Sequence, residues 1–336
     1  MSLTDFKATY RQQILDLLWR QWTSLGVSGH SADWQGAVID PEALLLASCT
    51  MARYDARLFD AMLEWLAING KYINVQRLKR ILSTEPFSGA RVLKAVAATI
   101  ATSVSVAKWA SLVERSKDRG DEPLFFLGDG KPMPVVAQHD PIFAEHGLFR
   151  DRFKSRSVAA RFNAEASPNL ILRLRAFMGV NARCEILAFL LLNHRGSPRA
   201  IAHDTYYFPA TIAKTLGEMR DSGFLVSRVE GRHHYHSVVP DTWKKLFLVK
   251  NKAGWIVWPR LLGALETLWI FLEKEDLDCK SALAQASALR RVLMPVIDNF
   301  EKSLPDFTFG DPSSRHGEAL LPFFMERVTE LLRQVM

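Results

Sequence analysis

Over the first hundred residues, apolar side chains return at helical spacing. Phe6–Gly26 places Tyr10, Ile14, Leu17, Leu18, Trp22 and Leu25 on one face, which predicts a helix. After the polar stretch Gly26–Gly36, Pro41 opens three shorter patterns, Glu42–Met51, Asp55–Ile68 and Val75–Leu82. A longer one follows over Gly89–Val113. Gly70 is expected to stop the second of the three in the left-handed conformation. The helical period is lost at Pro123–Val136, which reads as two extended pieces around a Gly128-Asp129-Gly130 turn, a connector hairpin.

A different order occupies Asn169–Val239. Asn169–Met178 and Arg183–Asn193 are helical, the latter ended by Gly196. Ser197 is placed to cap a short helix, Pro198–His203, with Pro198 in its first turn. The turn Asp204–Phe208 leads to Pro209–Ser222, where Ile212, Leu216 and Met219 share one face and Gly223 terminates. Phe208 stands where a polar cap is usual, so either Thr205 or Asp204 caps, or the helix starts with Pro209 at its first position. Phe224–Val229 and His234–Val239 alternate as strands around Glu230-Gly231. Helices with a tight turn before the last, followed by a hairpin, predict a winged helix-turn-helix.

The segment resembles the winged-helix bacterial repressors of the ArsR and MarR families over about 80 of the 336 residues. The matching residues are Ile201-Ala202, Thr211–Leu216, Met219, Ser222-Gly223-Phe224-Leu225 and the wing Arg228 to Arg232 with Tyr235. No cysteine pair stands on the helix where metal-sensing ArsR members carry one, so metal sensing is not implied. The resemblance implies DNA binding, with Pro209–Ser222 in the major groove and the wing in the adjacent minor groove. On that reading Ala210, Thr211, Lys214 and Thr215 face the duplex, and Tyr206 and Arg199 border it. Arg232 and His233 form the wing tip. Tyr207 is assigned to core packing. His234 and His236 share a strand face, but no third metal ligand is evident, and Cys184 sits in an apolar helix.

Beyond the wing, Asp241–Leu248 begins a helix, and Trp255–Leu272, Cys279–Leu304 and Leu320–Val335 continue the helical pattern with wide apolar faces. Such faces suit a dimerisation or partner-binding bundle, and an internal core accounts for them almost equally well. The chain is therefore expected to be mostly α. An N-terminal all-α domain (1–140, itself a possible helix-turn-helix variant) is followed by a basic linker (141–168), the winged segment (169–247) and a C-terminal helical region (248–336).

Composition supports a folded protein in a reducing cytoplasm. Apolar residues make up 48% of the chain, and its three cysteines form no CxxC pair. The longest weakly polar run, Ala95–Ala107, falls short of the ~20 residues a bilayer helix needs, so no membrane partner is expected. The net charge of +7 is concentrated. The window 71–94 carries +5, and 170–250 has twelve bases against six acids; Arg150–Arg156 is a further basic run. Clustered positive charge favours polyanions.

Catalytic signatures are missing. GxSxG, HExxH, Walker and Rossmann patterns are absent, and His316-Gly317-Glu318 lacks the PCxxC of a zinc deaminase. No cofactor, metal or enzymatic activity is expected, and an enzyme acting on nucleic acid would need carboxylates converging in one cleft. The leading expectation is a sequence-specific double-stranded DNA-binding regulator, acting as a repressor and a homodimer. The alternative is a protein-interaction module, such as an antitoxin-like autoregulator with a protein partner.

Overall fold

The first helix, α1 (Leu3–Ser24), opens with a reciprocal cap: Ser2 Oγ accepts from the Asp5 N–H at 3.1 Å, and the Asp5 carboxylate accepts from Ser2. Helix α2 (Pro41–Met51) starts on Asp40, whose Oδ1 accepts from the N–H groups of Glu42 and Ala43 at 3.1 Å each. Its sequence is apolar around most of its circumference, so it is stable only when enclosed. Every residue of α2 except Thr50 is buried. The computed structural model describes residues 2–29, 34, 36–103, 107–113, 120–239, 243, 254–275, 277, 279–315 and 317–336.

The enclosure comes from both ends of the chain. From the N-terminal side come α1, α3 (Ala56–Asn69), α4 (Val75–Thr84), α5 (Ala90–Ser103) and the short α6 (Ala107–Ala110). From the C-terminal side come α12 (Trp258–Lys274), α13 (Ala282–Ser303) and α14 (Leu320–Val335), which share the same core. Tyr10 donates to the Leu265 carbonyl at 2.7 Å, and Trp258 Nε1 donates to the Val38 carbonyl at 2.7 Å. Phe6 meets Phe324 edge to face at 5.4 Å. The expected separation into an N-terminal domain and a C-terminal bundle is thus replaced by one core. The wide apolar face of α12 packs against α2, the internal-core alternative that the sequence left open.

Two local expectations are also corrected. Gly70 has φ −58°, right-handed, and the chain continues into a 3-10 turn, Gly70–Tyr72, packed near Trp109. Residues 141–168 are not a bare linker. They form α7 (Pro141–Glu145) and a strand, β2 (Leu148–Phe149), that pairs in parallel with β1 (Glu122–Pro123). Within them Arg150 is buried against Phe125, Phe143 and Phe153 and pairs with Asp60 at 2.7 Å. The hairpin around Gly128–Gly130 survives as a single bridge, Phe126 opposite Pro132.

A second core is built from α8 (Leu170–Met178), α9 (Ala182–Asn193), α10 (Pro198–Thr205), α11 (Pro209–Asp221) and the antiparallel hairpin β3 (Leu225–Glu230) with β4 (His233–Val238). Ile186, Leu190, Ile201, Ile212, Leu216, Leu225 and Val238 fill it. Leu225 lies opposite Val238 and Glu230 opposite His233. The predicted Asp241–Leu248 helix lies outside the described residues, apart from Trp243. Among the described residues, no helix is long and apolar enough to cross a membrane.

Candidate nucleic-acid interface

Ser197 caps α10 as expected, accepting from the Ala200 N–H at 3.2 Å, and the helix runs two residues further, to Thr205. Tyr206 then adopts φ +60°, a left-handed conformation rare for a bulky residue, which makes the turn into α11 tight. Phe208 is the N-cap of α11 with no side-chain cap bond, and Pro209 takes the first position, the second of the two arrangements the sequence allowed. Gly223, at φ +78°, ends that region. Between α9 and α10 the chain runs along the hairpin: Gly196 and His236 exchange backbone bonds at 3.0 and 2.9 Å. This isolated bridge has no sequence signature, because it is a single residue pair.

The outer side of α11 carries Ala210, Thr211, Ala213 and Lys214, all exposed, while Ile212, Leu216 and Met219 are buried. The Lys214 side chain is 80% exposed, with Glu218 at 4.0 Å as a weak i,i+4 neighbour. Arg199 on α10 is exposed. Gly231 turns the hairpin at φ +63°, and Arg232 beside it is exposed with no ion-pair partner among the described residues. Its neighbour Glu230 is held by Arg195 at 3.1 Å. The His233 side chain lies outside the described residues.

Two candidates are displaced from this surface. Thr215 is buried, and its hydroxyl donates to the Thr211 carbonyl at 2.8 Å, a bond within the helix that leaves it facing the core. Tyr206 is 6% exposed, and its hydroxyl donates to the carboxylate of Glu85, the C-cap of α4, so it is enclosed and not part of that exposed surface. Burial, with Glu85 adding to it, pushes the Tyr206 phenol far above its ordinary range and keeps it a donor. Tyr207 packs inward as assigned, accepting from Asn74 Nδ2 at 2.6 Å and donating to Glu185 at 3.1 Å.

His236 is buried on β4, with Nδ1 at 2.9 Å from the Ser227 hydroxyl. Burial, reinforced by His234 and Arg220, lowers its pKa. Among the described residues, no group of three His, Cys, Asp or Glu side chains is arranged to hold a metal ion.

Behind the turn lies a buried ionic cluster that sequence reasoning missed. Arg175 of α8 binds Glu42 of α2 and Glu185 of α9, each at 2.6 Å, with every partner fully enclosed. Arg77 of α4 donates to Glu42 at 2.7 Å, pairs with Asp40, and donates to the Thr205 carbonyl at 2.8 Å. Burial alone would raise the Asp40 pKa, but Arg77 and the α2 backbone outweigh it and hold the carboxyl below its ordinary value. A separate tie comes from α12, where Arg260 donates to His203 Nε2 at 2.9 Å, leaving Nδ1–H to donate to Asp204 at 2.7 Å.

Elsewhere, a cleft of about 650 Å³ between α1 and α3 is lined by Asp16, Asp55, Asp60 and Glu64. Its carboxylates are engaged. Asp55 accepts from Trp19 Nε1 at 2.8 Å and caps α3; Glu64 accepts from the Val158 N–H at 2.7 Å, Asp60 pairs with Arg150, and Asp16 accepts from Gln12. Comparison of the chain with protein families, curated proteins and solved structures finds no match.

Proposed function

We propose that residues 170–239 form a winged helix-turn-helix that binds double-stranded DNA, and that the protein is a sequence-specific transcriptional regulator. What supports the reading is the topology. A helix, a residue bridged to the hairpin, a helix, a tight turn and a second helix precede a two-stranded hairpin, and the outer side of that second helix is open to solvent. The major groove admits one α-helix, whose N-terminal side chains reach base edges. In this reading Ala210 and Thr211 touch a thymine methyl or a phosphate, and Lys214 reaches guanine or a phosphate. Arg232 enters the neighbouring minor groove, where narrow, A·T-rich segments concentrate negative potential. Arg199 supplies a further phosphate contact.

Regulation by a symmetric dimer would match paired half-sites. Unbiased selection of duplexes from random DNA at physiological salt tests the proposal. Enrichment of a common sequence supports it, and enrichment of none contradicts it.

A further inference from the structure

The fold divides the basic window 71–94. Arg77 is buried in the ionic cluster, and Arg91 is buried, donating to the His146 and Gly147 carbonyls. Lys79 and Arg80 of α4 are each partly exposed, neither with an ion-pair partner among the described residues. The Arg80 guanidinium lies 3.9 Å from the centre of the Phe208 ring, the N-cap of α11, and Phe208 is 64% exposed.

This placement does not depend on the Arg80 side chain alone. Arg77 to the Thr205 carbonyl, Asn74 to Tyr207 and Glu85 to Tyr206 hold α4 against the turn that begins α11. The nearest acid on α4's own end, Glu85, is spent on Tyr206. A guanidinium stacked on a ring keeps its in-plane N–H donors outward, the geometry that grips a phosphate through two bonds.

A helix seated in a groove about 12 Å wide has a phosphate strand on each side. Resting on the reading of α11 as the DNA-contacting helix, we infer that Lys79 and Arg80 bind phosphates of the same duplex, beside the first turn of α11. The helical unit built around α2 is then part of the DNA interface as well as its support. Phosphate contacts of this kind fix position and carry no base preference.

The test is a fluorescence anisotropy titration of the full chain against two labelled duplexes, one enriched from a random pool and one of scrambled sequence, at several salt concentrations. The double variant Lys79→Ala, Arg80→Met keeps an apolar stem over Phe208. It is expected to weaken both duplexes alike and to make the salt slope shallower by about one to two, at roughly 0.9 per lost phosphate contact. Arg80→Lys, which keeps the charge, is expected to retain the wild-type slope. A double variant with wild-type affinity and slope overturns the inference, as does an Arg80→Lys variant as impaired as the double one. If that happens while Lys214→Ala still weakens the enriched duplex, the α4 assignment alone fails. If the wild-type chain binds neither duplex, the reading of α11 fails and the α4 contacts fall with it.

Discussion

Arg175 donates to both oxygens of Glu42, through Nη1 at 2.6 Å and Nη2 at 2.8 Å, across 133 residues of sequence. Neither side chain is reached by solvent. The pair joins the core around α2 to the core behind α11, and the same guanidinium also holds Glu185. Removing one member of such a cluster leaves the others buried and uncompensated, which costs far more than the cluster's net contribution. Arg175→Met is therefore expected to lower stability by about 3–5 kcal/mol, read as a fall in the urea midpoint. A loss within the range of an exposed ion pair, under about 1 kcal/mol, would show that the cluster is not closed to water.

Glu266 on α12 is fully buried, and its Oε1 accepts from the Ser88 N–H at 2.7 Å and from the Ser88 and Thr50 hydroxyls at 2.8 Å each. Its Oε2 has no hydrogen-bond partner among the described residues. Burial pushes the carboxyl up to about 7 from an ordinary value of 4.5, with the Ser88 and Thr50 bonds opposing. The folded state therefore holds this proton more tightly than the unfolded chain. Its stabilising contribution is complete below about 4.5 and is lost as the pH rises through about 7. Glu266→Gln is expected to flatten the fall in stability over that window and to raise stability at higher pH, by on the order of 3 kcal/mol. Thermal unfolding across a pH series checks it, and an unchanged pH profile in the variant would count against the assignment.

Gly196 leaves no room for a side chain. A Cβ there would lie 2.6 Å from the Phe189 ring and 2.9 Å from Ile201. Both neighbours belong to the second core, so Gly196→Ala is expected to cost about 1–3 kcal/mol through overpacking. The damage should appear locally, as faster amide exchange at His236, whose N–H donates to the Gly196 carbonyl at 2.9 Å. Unchanged exchange there would argue against the Gly196–His236 bridge.

Much of the second core was legible because its signals are local. The spacing of Ile212, Leu216 and Met219, the cap at Ser197 and the stop at Gly223 each depend on a few neighbouring residues. What was hidden depends on residues far apart in sequence. Arg77, Arg91 and Arg175 read as solvated cations until carboxyls or carbonyls from distant elements enclose them. Tyr206 looked available to phosphate because nothing in its surroundings in sequence announces a left-handed turn held by Glu85. Thr215 lies on the flank of the helix, where a small tilt decides between groove and core, and packing chose the core. The shared core of the chain's two ends was illegible for the same reason: periodicity shows that a face is apolar and is silent on what covers it.

The most direct test of the DNA-binding account is the affinity of the full chain for a duplex enriched from random DNA, measured for the wild type and for Lys214→Ala, Arg232→Ala. If both side chains reach bases, each substitution should cost about 1–3 kcal/mol, roughly fivefold to 150-fold in Kd, with less discrimination against scrambled DNA. A double variant that binds the enriched duplex as tightly and as selectively as the wild type would contradict the account.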